Sequence, residues 1–529
     1  MPAMDSLADA AETGDDDDAR YLVLKAHDAR FDGRFFTGVM STGVYCRPVC
    51  RVRVPRRENC RFFSLAAQAE QAGFRPCLRC RPELAPGPAT WSIQDASGML
   101  ARQAARLLDD PSVWSAGAPA MTALAARLGV SDRHLRRIFE AQLGVSPLQY
   151  LQTRRLLAAK QLLTDTDLPV TRVALASGFG SLRRFNAVFA AHYGLNPTRL
   201  RRQGSGREGQ GVTVRLGYRP PLDGDALLIF LAQRGIAGQS WAKPPDRMAG
   251  QTVRLVAGAR VHTGWLTARF DPVEPVVWLT VSDSLCDALP LVIARVRAWL
   301  DLDADPAVID ACLSSPLDGG GAASQGALAG LRVPGCLDGF ELAVRAILGQ
   351  QVTVAAGRTL AERLVARFGE PMATPAAGLD RLFPSPEVLA HADGEALGQL
   401  GIVRQRQAAI QALARAVAGG TLSLDSSADV PATLAALTAL PGIGDWTAQY
   451  IALRALRWPD AFPAGDVALQ KALGVTSARD AERLSQAWRP WRSYAVIRAW
   501  YGGTIVAPTK YSSFHSTSWP PDAGMKAIQ

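Results

Sequence analysis

Cys46-Arg47-Pro48-Val49-Cys50 and Cys77-Leu78-Arg79-Cys80 are two closely spaced cysteine pairs separated by a loop. Such spacing brings four thiolates to the corners of one tetrahedron, the arrangement that Zn2+ takes with sulfur ligands. Sulfur held by zinc stays deprotonated, so the cluster can be a structural knuckle or a nucleophile. Cys60 has no partner at this spacing and reads as a small core residue. Far along the chain, Leu440-Pro441-Gly442-Ile443-Gly444 followed by Asp445-Trp446-Thr447-Ala448 has the form of a helix-hairpin-helix turn. Gly442 and Gly444 let the backbone come close to a phosphate, and the next helix aims its N–H donors at it. A hairpin of this kind grips DNA without regard to sequence, so any reaction needs another group. Asp466, twenty-two residues beyond Gly444, stands at the predicted start of a helix over Val467 to Leu473. That position suits an anion, although a plain helix cap is the ordinary use of an aspartate there. Trp446 and Tyr450 are four residues apart and share one helix face.

These groups need several domains to hold them, because 529 residues is room for about three or four. With 48% hydrophobic and 20% charged residues, the chain is not disordered throughout. Its longest apolar stretches, such as Ala226 to Ala232, fall far short of the ~20 residues needed to span a bilayer. The acidic N-terminus (Asp15 to Asp18) lacks a signal region, so the chain reads as cytoplasmic, with no membrane partner and thiols kept reduced. The net charge of +10 is unevenly placed: nine arginines stand against Glu58 and Glu70 between Cys46 and Arg81. Between Met121 and Arg202, thirteen Lys and Arg oppose four acids. The front half is therefore built to meet a polyanion, and Arg suits phosphate and base edges.

The second basic stretch contains a repeat. Ser131, Phe139, Gly144 and Pro147 recur as Ser181, Phe189, Gly194 and Pro197, each fifty residues on. Each copy reads as helix, turn, helix: Met121 to Leu128 and Ser131 to Gln142, then Val170 to Ser177 and Ser181 to His192. Ser131 and Ser181 are predicted N-caps, and the turns after them carry Arg133, Arg136 and Arg137, or Arg183 and Arg184, as groove-facing types. Val212 to Leu216, Thr252 to Ala257, Arg260 to Leu266 and Val276 to Val281 read as strands, with helices near Gly224 to Arg234 and Leu291 to Leu300. From Asp338 to Trp500 the pattern is helical.

Three resemblances are carried by these residues. Ser41 to Cys50, Arg57-Glu58-Asn59 and Ala72 to Cys80 resemble the N-terminal domain of the adaptive-response regulator Ada. The likeness implies one Zn2+ on Cys46, Cys50, Cys77 and Cys80, with Cys46 accepting a methyl group irreversibly from a DNA methyl phosphotriester. The repeat, with Gly178-Phe179 and Gly194-Leu195-Asn196-Pro197, resembles the AraC-type double helix-turn-helix, which implies promoter DNA and RNA polymerase as partners. From about Val212 to Tyr501 the chain resembles 3-methyladenine DNA glycosylase II of the AlkA type, through Val344 to Gln350, the Gly442 hairpin and Trp488 to Ala495. That likeness makes Asp466 the catalytic aspartate, Trp446, Tyr450 and Trp500 the base pocket, and Gln351 the residue filling the gap left by a flipped base. A polar Gln departs from the family's apolar wedge. Lyase-type relatives carry a Schiff-base Lys where Trp446 stands, so a monofunctional enzyme is implied. Cys286, Cys312 and Cys336 are too scattered for an iron–sulfur cluster, and no Pro-Cys-His-Arg segment marks a guanine methyltransferase domain.

The resulting expectation is a multidomain, mostly α chain. It has an acidic flexible arm (1–20), a small zinc-bound α/β domain (21–84), an all-α double helix-turn-helix (90–202) and a linker (203–211). An α+β subdomain (212–325), an all-α helix-hairpin-helix glycosylase domain (326–503) and a disordered tail (504–529) follow. Pro82 to Pro88 reads as a further linker. The expected function is alkylation repair joined to its regulation, by a monomer acting on double-stranded DNA. The alternative is an alkylation-responsive regulator whose C-terminal half only binds DNA.

Overall fold

The structure, a computed structural model, describes residues 5–87, 96–114, 121–200, 211–257, 260–313 and 328–502. The expected tail, and the expected linker apart from Gly211, lie outside these residues. No described helix is long and apolar enough to cross a membrane.

The first domain is a four-stranded sheet in the order β3-β1-β2-β4, from Phe36–Val39 (β1), Val44–Cys46 (β2), Cys60–Phe63 (β3) and Arg75–Pro76 (β4). Helix α2 (Ala66–Gln71) covers it through Ala69, beside Phe36, Tyr45 and Phe74. The N-terminus corrects one expectation. Asp5–Ala26 is a helix (α1), not a loose arm. The acids that would repel one another are compensated: Arg20 pairs with Asp16 and Asp17, and Arg57 Nε reaches Asp18 at 2.6 Å. Leu24, buried, and the Tyr21 hydroxyl donating to Pro55 O at 2.9 Å anchor the helix to the domain.

The repeat folds as read. Ala96–Asp109 (α3), Met121–Arg127 (α4) and Asp132–Leu143 (α5) share one core, with Leu108, Leu135 and Phe139 buried. Ser131 and Ser181 accept from the N–H groups of His134 and Arg184 at 3.3 and 3.2 Å, so both predicted caps are present. Both recognition helices end on glycines in left-handed backbone, Gly144 at φ 67° and Gly194 at φ 65°, where a side chain would be strained. Between the copies runs the nineteen-residue helix Pro147–Asp165 (α6), followed by Val170–Ala176 (α7) and Leu182–Tyr193 (α8). The two copies pack differently. Val173, Phe185 and Phe189 belong to one apolar cluster with Val214, Leu216 and Leu279 of the next domain, whereas the core of the first copy takes in Ala67 of the zinc domain.

That next domain is an antiparallel sheet, β5-β9-β8-β7-β6, from Val212–Gly217 (β5), Ser240–Lys243 (β6), Met248–Ala257 (β7), Arg260–Phe270 (β8) and Val276–Val281 (β9). Short β6 gives too little alternation to be read from sequence. The helices Gly224–Ala232 and Leu289–Trp299 flank the sheet, and the remainder is helical from Gly339 to Gly502 with turns between.

The segment read as a linker after Cys80 is instead an interface. Glu83 is buried between Arg81 Nε, at 2.9 Å, and Lys160 of α6, while Arg81 also reaches Asp165 at 2.5 Å. The carbonyl of Gly87 accepts from Arg219 Nη2 at 2.7 Å. Arg219 is fully buried and donates further to the carbonyls of Asp32 at 2.7 Å and Asp303 at 2.8 Å. Prolines and glycine here free carbonyls for capture instead of freeing the chain to move, and so the zinc domain is clamped to the sheet domain. Arg219→Met leaves these buried carbonyls without donors. It should lower unfolding stability by about 3 kcal/mol in urea titration and separate one transition into two. An unchanged single transition would contradict the clamp.

Candidate active site and metal centre

Strand β2 delivers Cys46, the turn after it Cys50, and the turn after β4 delivers Cys77 and Cys80, because β4 lies parallel beside β2. Ligand atoms of the four lie within 4.8 Å of one another. A zinc ion bonded to four sulfurs at ~2.3 Å sets them about 3.8 Å apart, so the cluster fits it, and Cys60 stays outside as read. Arg47 fixes the first ligand loop: its guanidinium donates to Asp32 Oδ1 at 2.8 Å and to Cys80 O at 3.0 Å. Its backbone N–H lies 3.3 Å from Cys80 Sγ, a contact that tempers that sulfur as a nucleophile. A small apolar pocket is lined by Leu24, Thr37, Val39 and Val52 together with Cys46 and Cys50, and not by Cys77 or Cys80.

In both recognition helices the apolar side is buried, through Leu135, Ile138 and Phe139 or Phe185 and Phe189. Arg133, Arg136, Arg137, Arg183 and Arg184 are exposed on the other side. Arg136 is braced by Asp132 at 2.9 Å, and Arg137 lies 3.2 Å from His134 Nδ1.

The hairpin after Leu440 is built as its glycines require. Gly442 has φ 75°, and a Cβ there would stand 3.1 Å from the Ala409 side chain. Gly444 has ordinary backbone, but the space over its Cα is open at the start of the helix Asp445–Arg454. The loop bearing Gln351 is fastened to this hairpin. Gln350 Nε2 donates to Gly442 O at 2.9 Å and to Thr447 Oγ1 at 3.0 Å. Gln351 itself is exposed, with φ 54°.

Asp466 caps the helix Val467–Ala472, accepting from Leu469 N at 2.8 Å through Oδ1. It is therefore the cap that its position allows, but not only that. Trp446 Nε1 donates to Oδ2 at 2.9 Å and Trp500 Nε1 to Oδ1 at 3.2 Å. Asp466 is 7% exposed. The rings of Trp446 and Tyr450 stack at 5.4 Å and 13°, and Trp500 lies 6.1 Å from Tyr450. Helix Arg492–Gly502 positions Trp500, and Arg492 locks that helix by donating to Asp460 Oδ1 at 2.6 Å. All four expected residues thus meet in one place, with the anion at the edge of an aromatic cage.

Three further side chains lie beside Tyr450, and sequence reasoning missed them. Phe230 comes from the helix Gly224–Ala232, with Arg234 above its ring at 3.7 Å. Arg454 lies 4.9 Å from the Phe230 ring and 5.5 Å from that of Tyr450, and donates to the Tyr450 hydroxyl at 2.7 Å. Burial pushes the Tyr450 phenol up, but Arg454 and Arg234 outweigh it and hold it below its ordinary value. Phe230 sits in an apolar run with nothing to separate it from core, and Arg234 lies just beyond that run; the four-residue spacing from Tyr450 to Arg454 was the one available signal.

Comparison with known proteins covers the same segments. Residues 19–83 match the metal binding domain of Ada, 124–203 a helix-turn-helix domain, and 213–338 the AlkA N-terminal domain. Residues 344–491 match the HhH-GPD superfamily of base excision DNA repair proteins. A probable bifunctional transcriptional activator/DNA repair enzyme AlkA of Mycobacterium tuberculosis is 39% identical over 517 residues, covering 96% of this chain and 99% of that one. DNA-3-methyladenine glycosylase 2 of Escherichia coli is 34% identical across 54% of this chain and 96% of its own length. The bifunctional transcriptional activator/DNA repair enzyme Ada of the same organism is 36% identical across 31% of this chain and 43% of its own. With a relative so similar along almost the whole length, and a zinc-fitting cluster and a caged aspartate at the two ends, the chain belongs to the family of bifunctional AlkA-type transcriptional activator/DNA repair enzymes.

Proposed function

We propose that this protein repairs alkylated DNA by two chemistries and switches transcription in response. The observation that carries the excision half is that the two indoles lining the cage also bind the carboxylate, so stacking a flipped purine and presenting an anion to its sugar are one arrangement. As the C1′–N bond breaks, its electron pair leaves with the base and positive charge grows on the ribose. Asp466 opposes that charge, and water then adds to C1′. With Leu469 N and two indoles donating, Asp466 serves as a fixed anion more than as a base. Trp446 offers no amine for a Schiff base, which supports monofunctional release. Alkylated purines such as 3-methyladenine carry positive charge and suit the aromatic faces. Gly442 and Gly444 with the helix start take a backbone phosphate, and Gln351, held rigidly by its neighbour, fills the vacated stack.

At the other end, Zn2+ on Cys46, Cys50, Cys77 and Cys80 holds the sulfurs as thiolates. Cys46 Sγ attacks the methyl carbon of a phosphotriester; the S–C bond forms as the C–O bond breaks, and the phosphate leaves as a diester anion. The pocket beside Cys46 and the hydrogen bond that occupies Cys80 support this choice of sulfur. Losing one negative charge beside the arginines favours DNA, and Arg133, Arg136, Arg137, Arg183 and Arg184 then read a promoter for RNA polymerase. We place this work in the cytoplasm, on chromosomal DNA, by a monomer.

Asp466→Asn should slow base release from alkylated duplex DNA about a hundredfold to a thousandfold while leaving DNA binding intact. If wild-type protein releases no base, the C-terminal half only grips DNA and the regulator reading stands instead. Trp446→Phe keeps a ring but removes a donor and should slow release about tenfold. After exposure to methyl-phosphotriester DNA, mass spectrometry should find one added methyl on Cys46, absent in Cys46→Ser. An unmodified Cys46 would make the cluster a structural knuckle. Chelation should remove one zinc per chain and abolish methyl transfer while base release persists.

A further inference from the structure

Arg454 is a buried cation that the excision chemistry described above does not use. It is 5% exposed, and its guanidinium is spread over three oxygens: Pro334 O at 2.8 Å, Gly335 O at 3.1 Å and the Tyr450 hydroxyl at 2.7 Å. Among the described residues no carboxylate pairs with it, which is costly for a buried charge unless the charge is used. Carbonyls fix two edges of its rigid fork, so the third edge is aimed at the phenol oxygen and cannot follow it elsewhere.

Two consequences follow for the cage. A donor already directed at the phenol oxygen blocks the phenol's own proton from pointing that way, and polarises it as a donor toward whatever lies on the other side. Second, the cation lies against the faces of Tyr450 and Phe230, drawing on the same π density that would attract a positively charged base. Arg234 adds to this, 3.7 Å from the Phe230 ring. The carboxylate of Asp466 is thus held by the indole that stacks on Tyr450, while a guanidinium holds the Tyr450 hydroxyl.

We propose that Arg454 is a positioning residue that sets base selectivity: it makes Tyr450 a hydrogen-bond donor to the edge of the flipped purine, and favours neutral purines bearing an acceptor oxygen relative to cationic ones. A neutral base departs with the electron pair of the broken C1′–N bond as an anion, and a polarised phenol backed by a cation stabilises that negative charge. A cationic base departs neutral and gains nothing from it. The downward push on the Tyr450 phenol by Arg454 agrees with this.

The inference rests on the excision reading, and one experiment separates the two. Zinc-loaded full-length protein is given duplexes containing a single 7-methylguanine, which is cationic, or a single hypoxanthine, which is neutral, under single-turnover conditions. Arg454→Met should lower hypoxanthine release at least tenfold relative to 7-methylguanine release, and Arg454→Lys should keep the wild-type ratio within about threefold. Tyr450→Phe should shift the ratio in the same direction, and the double variant no further than either single one. The thermal unfolding transition and the affinity for undamaged duplex DNA report that each variant is folded. An unchanged ratio in Arg454→Met, an equal loss on both bases, or a wild type that releases only the cationic base overturns the proposal. If Arg454→Met does not fold, Tyr450→Phe decides alone, and an unchanged ratio again overturns it. A wild type that releases neither base overturns the excision reading and this inference with it.

Discussion

A carboxylate that faces aromatic rings has little water to accept hydrogen bonds from, and the pair of indole N–H groups on Asp466 donates in its place. Much of the C-terminal half can be understood from this one contact. Trp446 stands in the first turn of the helix that follows the hairpin, so the glycine turn and the carboxylate are held in fixed relation to each other. Trp500 must arrive from the last helix, so the buried Arg492 to Asp460 pairing that locks that helix belongs to the site although it touches no base. The Leu469 N–H, which Asp466 caps, adds a third donor and orients the carboxylate.

The opposite end of the molecule solves the reverse problem. Four cysteine sulfurs, three of them buried, are gathered in a domain rich in arginine, and Arg47 braces the cluster through Asp32 and a carbonyl. Neighbours of the ligands carry the structure outward. Tyr45, just before Cys46, donates to Glu70 at 2.9 Å, and Glu70 also accepts from Thr153 of α6 and lies 2.5 Å from His192 in α8. Arg81, just after Cys80, reaches Asp165 at the end of α6. The zinc domain is thereby pinned along one helix of the double helix-turn-helix by buried polar contacts, which demand defined geometry in a way that an apolar interface does not.

Burial of unpaired donors and carbonyls also explains how two repair modules become one molecule. Arg219 collects carbonyls from the zinc domain, from the chain leaving it and from the sheet domain. Since each of those carbonyls would otherwise be desolvated without a donor, the domains have little freedom to separate singly. The second helix-turn-helix copy shares a core with the sheet, so the fusion is continuous through apolar packing as well.

The sequence alone determined what depends on local spacing: the cysteine pairs, the fifty-residue repeat with its serine caps and glycine ends, and the hairpin glycines, while the aspartate with its three aromatic companions was legible only through the family resemblance. Each of the first three is set by a handful of neighbouring residues whose types have narrow physical uses. It did not reveal the helix in the acidic segment, because Arg57 neutralises that segment from forty residues away. Nor did it show that Pro82 to Gly87 is an interface, since breakers that end a helix look the same whether their carbonyls face water or a buried arginine. Phe230, Arg234 and Arg454 came together beside Tyr450 only through folding, because a side chain in one helix joins a cluster when a distant helix is laid against it. Tertiary structure decided which buried charges have partners, and that depends on contacts between segments hundreds of residues apart.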